Sequence, residues 1–159
     1  MYVGLVAATL WYIHRQLKGQ REQIDEQVKN SRFQELLTVF KELKDSDLME
    51  ARRYIYEKFP ETIEGAETKE LKRHLLEAEM AFITFDRIGY SIEKGHIDGG
   101  PIIENFWVLI WRCWKKSESL INWAREQRGQ KDSLKRFQYL FDLAEAHRLQ
   151  KGYPEPKFF

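Results

Sequence analysis

Apolar positions recur along the chain at the three- and four-residue steps of a helix, and nowhere at the alternate-residue step of a strand. The first thirteen residues, MYVGLVAATLWYI, carry no charge, and His14, Arg15, Lys18 and Arg21 follow at once. GQREQIDEQVKNSR is then rich in Gln, Glu, Lys and Arg, with Ile24 and Val28 four apart. Leu36, Leu37, Phe40 and Leu43 form a denser stripe. No proline breaks this stretch. The pattern predicts one long helix, or two nearly collinear ones, over 2–44, with a solvated stalk in its middle. Asp45-Ser46-Asp47 supplies a break and a new N-cap. A second helix over 48–59 ends before Pro60, because a residue preceding proline is pushed out of the α region. PETIEGAE, over 60–67, reads as a loop.

A third helix over 68–94 carries Leu71, Leu75, Phe82, Phe85, Ile88 and Ile92 at helical steps and stops at Gly95. Asp98 and Pro101 open a fourth, running to about 127. Asp132 is placed to cap a fifth over 133–150, closed by Gly152. The tail YPEPKFF, with two prolines, is extended. The expected fold class is all-α: a long N-terminal anchor and stalk helix followed by a cytosolic bundle of about four helices. Its divisions are an anchor over 1–15, a stalk over 16–30, the bundle over 31–152 and the tail over 153–159.

The uncharged run points to a membrane. Trp11 and Tyr12 stand at its junction with Arg15, Lys18 and Arg21, the arrangement of a headgroup-level flank. Thirteen helical residues rise only ~20 Å, against a hydrocarbon core about 30 Å thick. A truncated anchor, an interfacial helix and a buried terminal helix therefore stay open. The absence of a basic region before the run argues against a signal peptide. The expectation is a single-pass or interfacial protein of the cytoplasmic membrane, its bundle on the cytoplasmic side, in contact with lipid through the N-terminal helix.

Composition removes several classes. Among 159 residues there are 26 Lys plus Arg, 25 Asp plus Glu and a single Cys, for a net charge of +1. One cysteine excludes a disulfide scaffold and a multi-cysteine zinc site. Near-neutral charge argues against a dedicated nucleic-acid binder. With 14% aromatics, 9 Gly and 4 Pro, the chain is not disordered throughout.

The most unusual segment is FWVLIWRCWKKSESLINW. Trp107, Trp111 and Trp114 lie at i, i+4 and i+7, hence on one helical face. That face is either buried core or an aromatic partner groove. Asp86 borders the apolar face of the third helix, and an edge-of-core charge needs compensation. Arg112 and Arg125 are its candidate partners in a structural clasp. The basic stretch 112–136 and the acidic stretch 57–79 could pair with each other. Glu70 and His74 stand four apart, but no set of ligands assembles a metal site, and no phosphate-binding loop is present. No catalytic residue, metal or cofactor is expected.

A short apolar run into YIHRQLKGQREQ, followed by EARRYIYE, FDRIGYSIEKGHID and WRCWKKSESLINWARE, resembles an uncharacterised bacterial family. Its members are small proteins with an N-terminal membrane helix and a cytosolic helical domain. The resemblance implies this architecture and transfers no site residue. The leading functional expectation is a membrane-anchored helical protein-interaction module without catalytic activity, engaging an unknown protein partner or its own copies. The alternative is a membrane-associated enzyme or stress- or phage-defence effector, with a polar pocket between the third and fourth helices.

Overall fold

A computed structural model describes residues 2–60 and 62–158, with side chains from Trp11 onward. The parts of the expected anchor, loop and tail at residues 1, 61 and 159, and the side chains of 2–10, lie outside the described residues. The described chain is helical, in the order α1 (Tyr2–Leu43), α2 (Ser46–Lys58), α3 (Thr68–Glu77), α4 (Glu79–Glu93), α5 (Gly99–Arg128) and α6 (Lys135–Lys151).

Local signals account for most boundaries. Asp45 Oδ1 accepts the N–H of Asp47 at 2.9 Å and starts α2. Asp98 Oδ1 accepts the N–H of Gly100 at 2.9 Å and starts α5. Gly129 ends α5 in the left-handed conformation, at φ 62°, where a Cβ is costly. Five helices follow α1, because the expected third helix bends at Ala78. This residue is fully buried, with φ −92° and ψ −4°. Hydrogen bonds continue through the bend, from the Ala78 N–H to the His74 carbonyl and from the Phe82 N–H to the Ala78 carbonyl. The change of direction seats Leu71 and His74 in the protein interior.

In the core, α6 packs against both α4 and α5, and α2 packs against the same two helices. Phe137 of α6 stacks on Phe85 of α4 at 4.9 Å between ring centroids, and meets the edge of Trp114 of α5 at 5.1 Å. Burying large aromatics is the principal driving term here.

The N-terminus of α6 departs from expectation. Asp132 does not cap it; its side chain is exposed and pairs with Lys135 at 3.7 Å. Leu134 occupies the cap position at φ 57°, with no side-chain cap of its own. The cap comes instead from α4. Asp86 Oδ1 accepts the N–H groups of both Arg136 and Phe137 at 3.0 Å.

Among the described residues, α1 joins the bundle through its last turns. Val39 and Leu43 are buried, Ser91 donates to Glu35 at 3.4 Å, and Arg87 pairs with Glu42. From residue 11 to residue 34 every side chain is exposed. That segment is a helical arm roughly 36 Å long at ~1.5 Å per residue.

The membrane expectation is corrected. No helix among the described residues is long and apolar enough to cross a membrane. The physical reason is that charge enters at Arg15, a third of the way along α1, and recurs at Lys18 and Arg21. The transmembrane anchor over 1–15 and the cytoplasmic-membrane placement are therefore withdrawn. Trp11, Tyr12, Arg15, Lys18 and Arg21 are exposed residues of a continuous helix. The Arg15 guanidinium lies over the Trp11 ring, 5.5 Å from its centroid.

Candidate functional site

The arm carries an apolar stripe. Ile13, Leu17, Ile24 and Val28 fall within an arc of about 60° on a helix turning ~100° per residue. Each is 44–57% exposed. Val39, three turns beyond Val28, continues this strip and is 1% exposed. One face of α1 is thus covered by the bundle at its C-terminal end and left open along the arm. Gly19 lies on the opposite side of the helix, with open space around it.

A second open apolar feature lies where α3 and α4 face the end of α5. A groove of about 720 Å³ is lined by Leu76, Phe82, Ile83, Ile121, Trp123 and Leu134, with Lys72, Glu79 and Arg128 alongside. Leu76 and Ile83 are 68% and 56% exposed. The alternative functional expectation placed a polar pocket in this region.

Polar groups converge elsewhere. A pocket of about 460 Å³ is lined by Tyr54, Lys58, Glu70, Arg73, His74 and Glu77. His74 is buried. Its Nδ1 shares a hydrogen bond with the Tyr54 hydroxyl at 3.0 Å, and its Nε2 is 3.7 Å from Glu70 Oε1. The spacing of Glu70 and His74 was visible in the sequence; Tyr54, twenty residues earlier, was not.

The aromatic face of α5 is spent on packing. Trp114 is buried between Phe137 and Phe141 of α6. Trp111 donates its indole N–H to Glu145 Oε2 at 2.7 Å. Arg148 grips both carboxylate oxygens of Glu145, at 2.7 and 2.6 Å, and donates to the Tyr153 carbonyl at 3.0 Å. This holds the Glu145 carboxyl below the ordinary glutamate value, through the Arg148 bonds first and the Trp111 bond after them. The tail folds back along the same face, with Tyr153 stacked on Trp107 and Phe158 on Trp111.

The expected clasp is redistributed. Asp86 is satisfied by backbone N–H groups of α6. Arg125 closes the α5–α6 turn, donating to the Ser133 carbonyl at 2.8 Å and to Gln138 at 3.2 Å, with its guanidinium over the Trp114 ring at 5.8 Å. Arg112 belongs to the α2–α5 interface, near enough to bias the Tyr56 hydroxyl. The basic stretch pairs partly within itself, Lys115 with Glu118 and Lys135 with Asp132, and Arg136 pairs with Glu93.

In that interface, the Tyr56 hydroxyl and the Cys113 sulfur lie 3.2 Å apart. Burial pushes the thiol up to about 12 and the phenol above the ordinary tyrosine range. A fully buried, protonated thiol is a poor nucleophile. Arg52 is only 8% exposed there, and its Nη1 has no hydrogen-bond partner among the described residues. No sequence signal marked Arg52, because it sits where the helical pattern alone permits either surface or interior.

Comparison with known proteins finds no matching family model, no matching curated protein and no matching solved structure. The functional reading therefore rests on this chain's own geometry.

Proposed function

We propose that the protein is a non-catalytic helical interaction module, in which the bundle holds the base of α1 and the arm offers its apolar stripe to a protein partner. The observation that carries this reading is an arm exposed on every side from residue 11 to 34 that still bears four aligned apolar residues. A helix without tertiary packing is marginal in water. A stripe of this kind is the usual mark of a face that packs on another surface.

The rival reading, an enzyme or effector, draws on Tyr54, His74 and Glu70. The Glu70 carboxylate at 3.7 Å from His74 is beyond hydrogen-bonding distance. The His74 ring is also packed beside Tyr54 and Phe59, at 5.8 and 5.5 Å. These contacts favour a structural histidine over a proton-transfer group.

A photo-crosslinking residue at position 24 of the full chain, in cells, tests the module reading. Discrete protein adducts that vanish on Leu17→Glu and Val28→Glu substitution are expected. A uniform absence of adducts at position 24, with the bundle intact, overturns it.

A further inference from the structure

We infer that the crevice between α5 and α6, floored by Trp107 and Trp111, is a docking site for an extended protein segment of the pattern aromatic–proline–acidic–proline. Residues 153–158 fill it as an intramolecular occupant. The inference concerns a surface other than the α1 arm and stands apart from that reading.

Local geometry brings the segment there. Gly152 ends α6 in the left-handed conformation, at φ 68°, and the Tyr153 N–H returns to the Arg148 carbonyl at 3.0 Å. This reversal sends the chain back along α6. Trp107 stacks on Tyr153 at 5.5 Å between centroids, with His147 6.2 Å from the same ring. Trp111 stacks on Phe158 at 6.1 Å. Arg148 donates to the Tyr153 carbonyl at 3.0 Å. The positive charge of Arg148 is favoured by its bonds to Glu145 first, and also by Glu155 of the segment.

The segment suits this mode of recognition. Pro154 and Pro156 fix their own φ near about −65°. Tyr153 and Glu155 each precede a proline and are pushed to extended conformations. Four consecutive residues are therefore extended before they dock, so little conformational entropy is lost. Aromatic floors that read preformed proline-containing segments are a recurring way in which proteins bind peptides. Here the tryptophans supply the floor, and the Arg148 charge selects the acidic residue between the prolines.

The occupant is held from one side. Tyr153 and Phe158 stay 44% and 49% exposed, and Pro154, Glu155 and Lys157 are exposed too. Among the described residues, its hydrogen bonds to α6 are made at Tyr153 alone. The core around Phe137 and Trp114 is closed by α4, α5 and α6 themselves. A hinged segment held this way exchanges with a matching segment of a partner. Its tether makes the exchange competitive and sets a threshold that the partner must exceed.

A labelled peptide of sequence GYPEPKFG, followed by fluorescence anisotropy, tests this on the full chain. Tyr153→Ser together with Phe158→Ser vacates the floor and leaves it intact. This double variant, with a parent-like circular dichroism spectrum, should bind the peptide at least about tenfold tighter than the parent chain. Replacing the peptide's glutamate by lysine, or its tyrosine by alanine, should weaken binding several-fold, a readout that needs no further change in the protein. Trp107→Ala in the double variant should abolish binding.

Equal affinity for the parent and the double variant, no binding to either, or indifference to both peptide changes overturns the inference. A double variant that fails to fold makes the segment part of the core and overturns it as well. So does a parent chain that dimerises in sedimentation and loses this in the double variant without binding peptide, since the occupant is then the segment of a second copy.

Discussion

Asp86 of α4 caps α6 across the fold, its Oδ1 accepting the N–H groups of Arg136 and Phe137 at 3.0 Å each. Two of the orphan donors of the first turn are thereby satisfied, at a helix whose own cap residue, Leu134, sits at φ 57° and has no side-chain cap to offer. One turn further along α4, Gly89 passes directly beneath the Arg136 carbonyl. Tyr90 then lies under the Arg136 guanidinium, at 4.8 Å, and Glu93 pairs with it at 3.4 Å. Four residues on α4 thus fix where α6 begins.

Removing this cap has a defined cost. Asp86→Ala should lower stability by about 1–2 kcal/mol, and Asp86→Asn, which keeps an acceptor oxygen, by less. Urea unfolding checks the order. Equal midpoints for the parent chain and both variants would mean that the cap contributes nothing.

Gly89→Ala should be more damaging. A Cβ there falls 2.1 Å from the Arg136 carbonyl oxygen, and because that atom is backbone, α4 and α6 must separate. A loss of at least about 3 kcal/mol is expected, since the change combines overpacking with a lost cap. In the double variant with Asp86→Ala the losses should fall short of additive, because both act on one contact. Thermal melts of the three proteins measure this.

Glu145 gives the protein an acid-sensitive joint. Its carboxyl is depressed below the ordinary value of 4.5, so its contribution is present above that value and fades as pH falls through the folded-state value. Glu145→Gln should cost about 1–2 kcal/mol at neutral pH, and this cost should shrink as pH falls through the folded-state value and the parent carboxyl becomes protonated as well. Trp111→Phe should keep the Arg148 pairing and lose the indole bond only. A Glu145→Gln penalty that is constant with pH contradicts this account.

Cys113 sets the alkaline limit. Its thiol is raised from 9.0 to about 12 by burial, so the folded protein resists ionisation that the unfolded chain undergoes. Stability from this source is complete below about pH 9 and declines as pH rises toward 12. Thiol-reactive dye should label the native protein only as fast as it unfolds. Cys113→Ala should flatten part of the alkaline decline, while Tyr56, raised in the same direction, retains the rest. Rapid labelling of the native protein at neutral pH contradicts the burial of the thiol.

Helix existence and most helix ends are local properties, and the sequence alone determined them. Asp45 and Asp98 cap the turns that follow them in the chain, and Gly129 and Gly152 end helices through their own backbone freedom. The alignment of Ile13, Leu17, Ile24 and Val28 on one side of α1 is likewise legible in the sequence, because a helix converts spacing into a face without help from the rest of the protein. What only the tertiary structure decided depends on which helices meet. Asp132 is the better local cap for α6, yet Asp86, fifty residues from Arg136, caps it, since packing of α6 on α4 brings that carboxylate to the exposed N–H groups. The bend at Ala78 carries no Gly or Pro and follows from how α3 must turn to bury Leu71 and His74. Trp107, Trp111 and Trp114 share a face by periodicity, but whether that face met solvent, a partner or α6 and the tail was settled by the fold. Periodicity fixes direction around one helix axis; burial depends on the distance between axes, and that distance is set by every residue along the interface together.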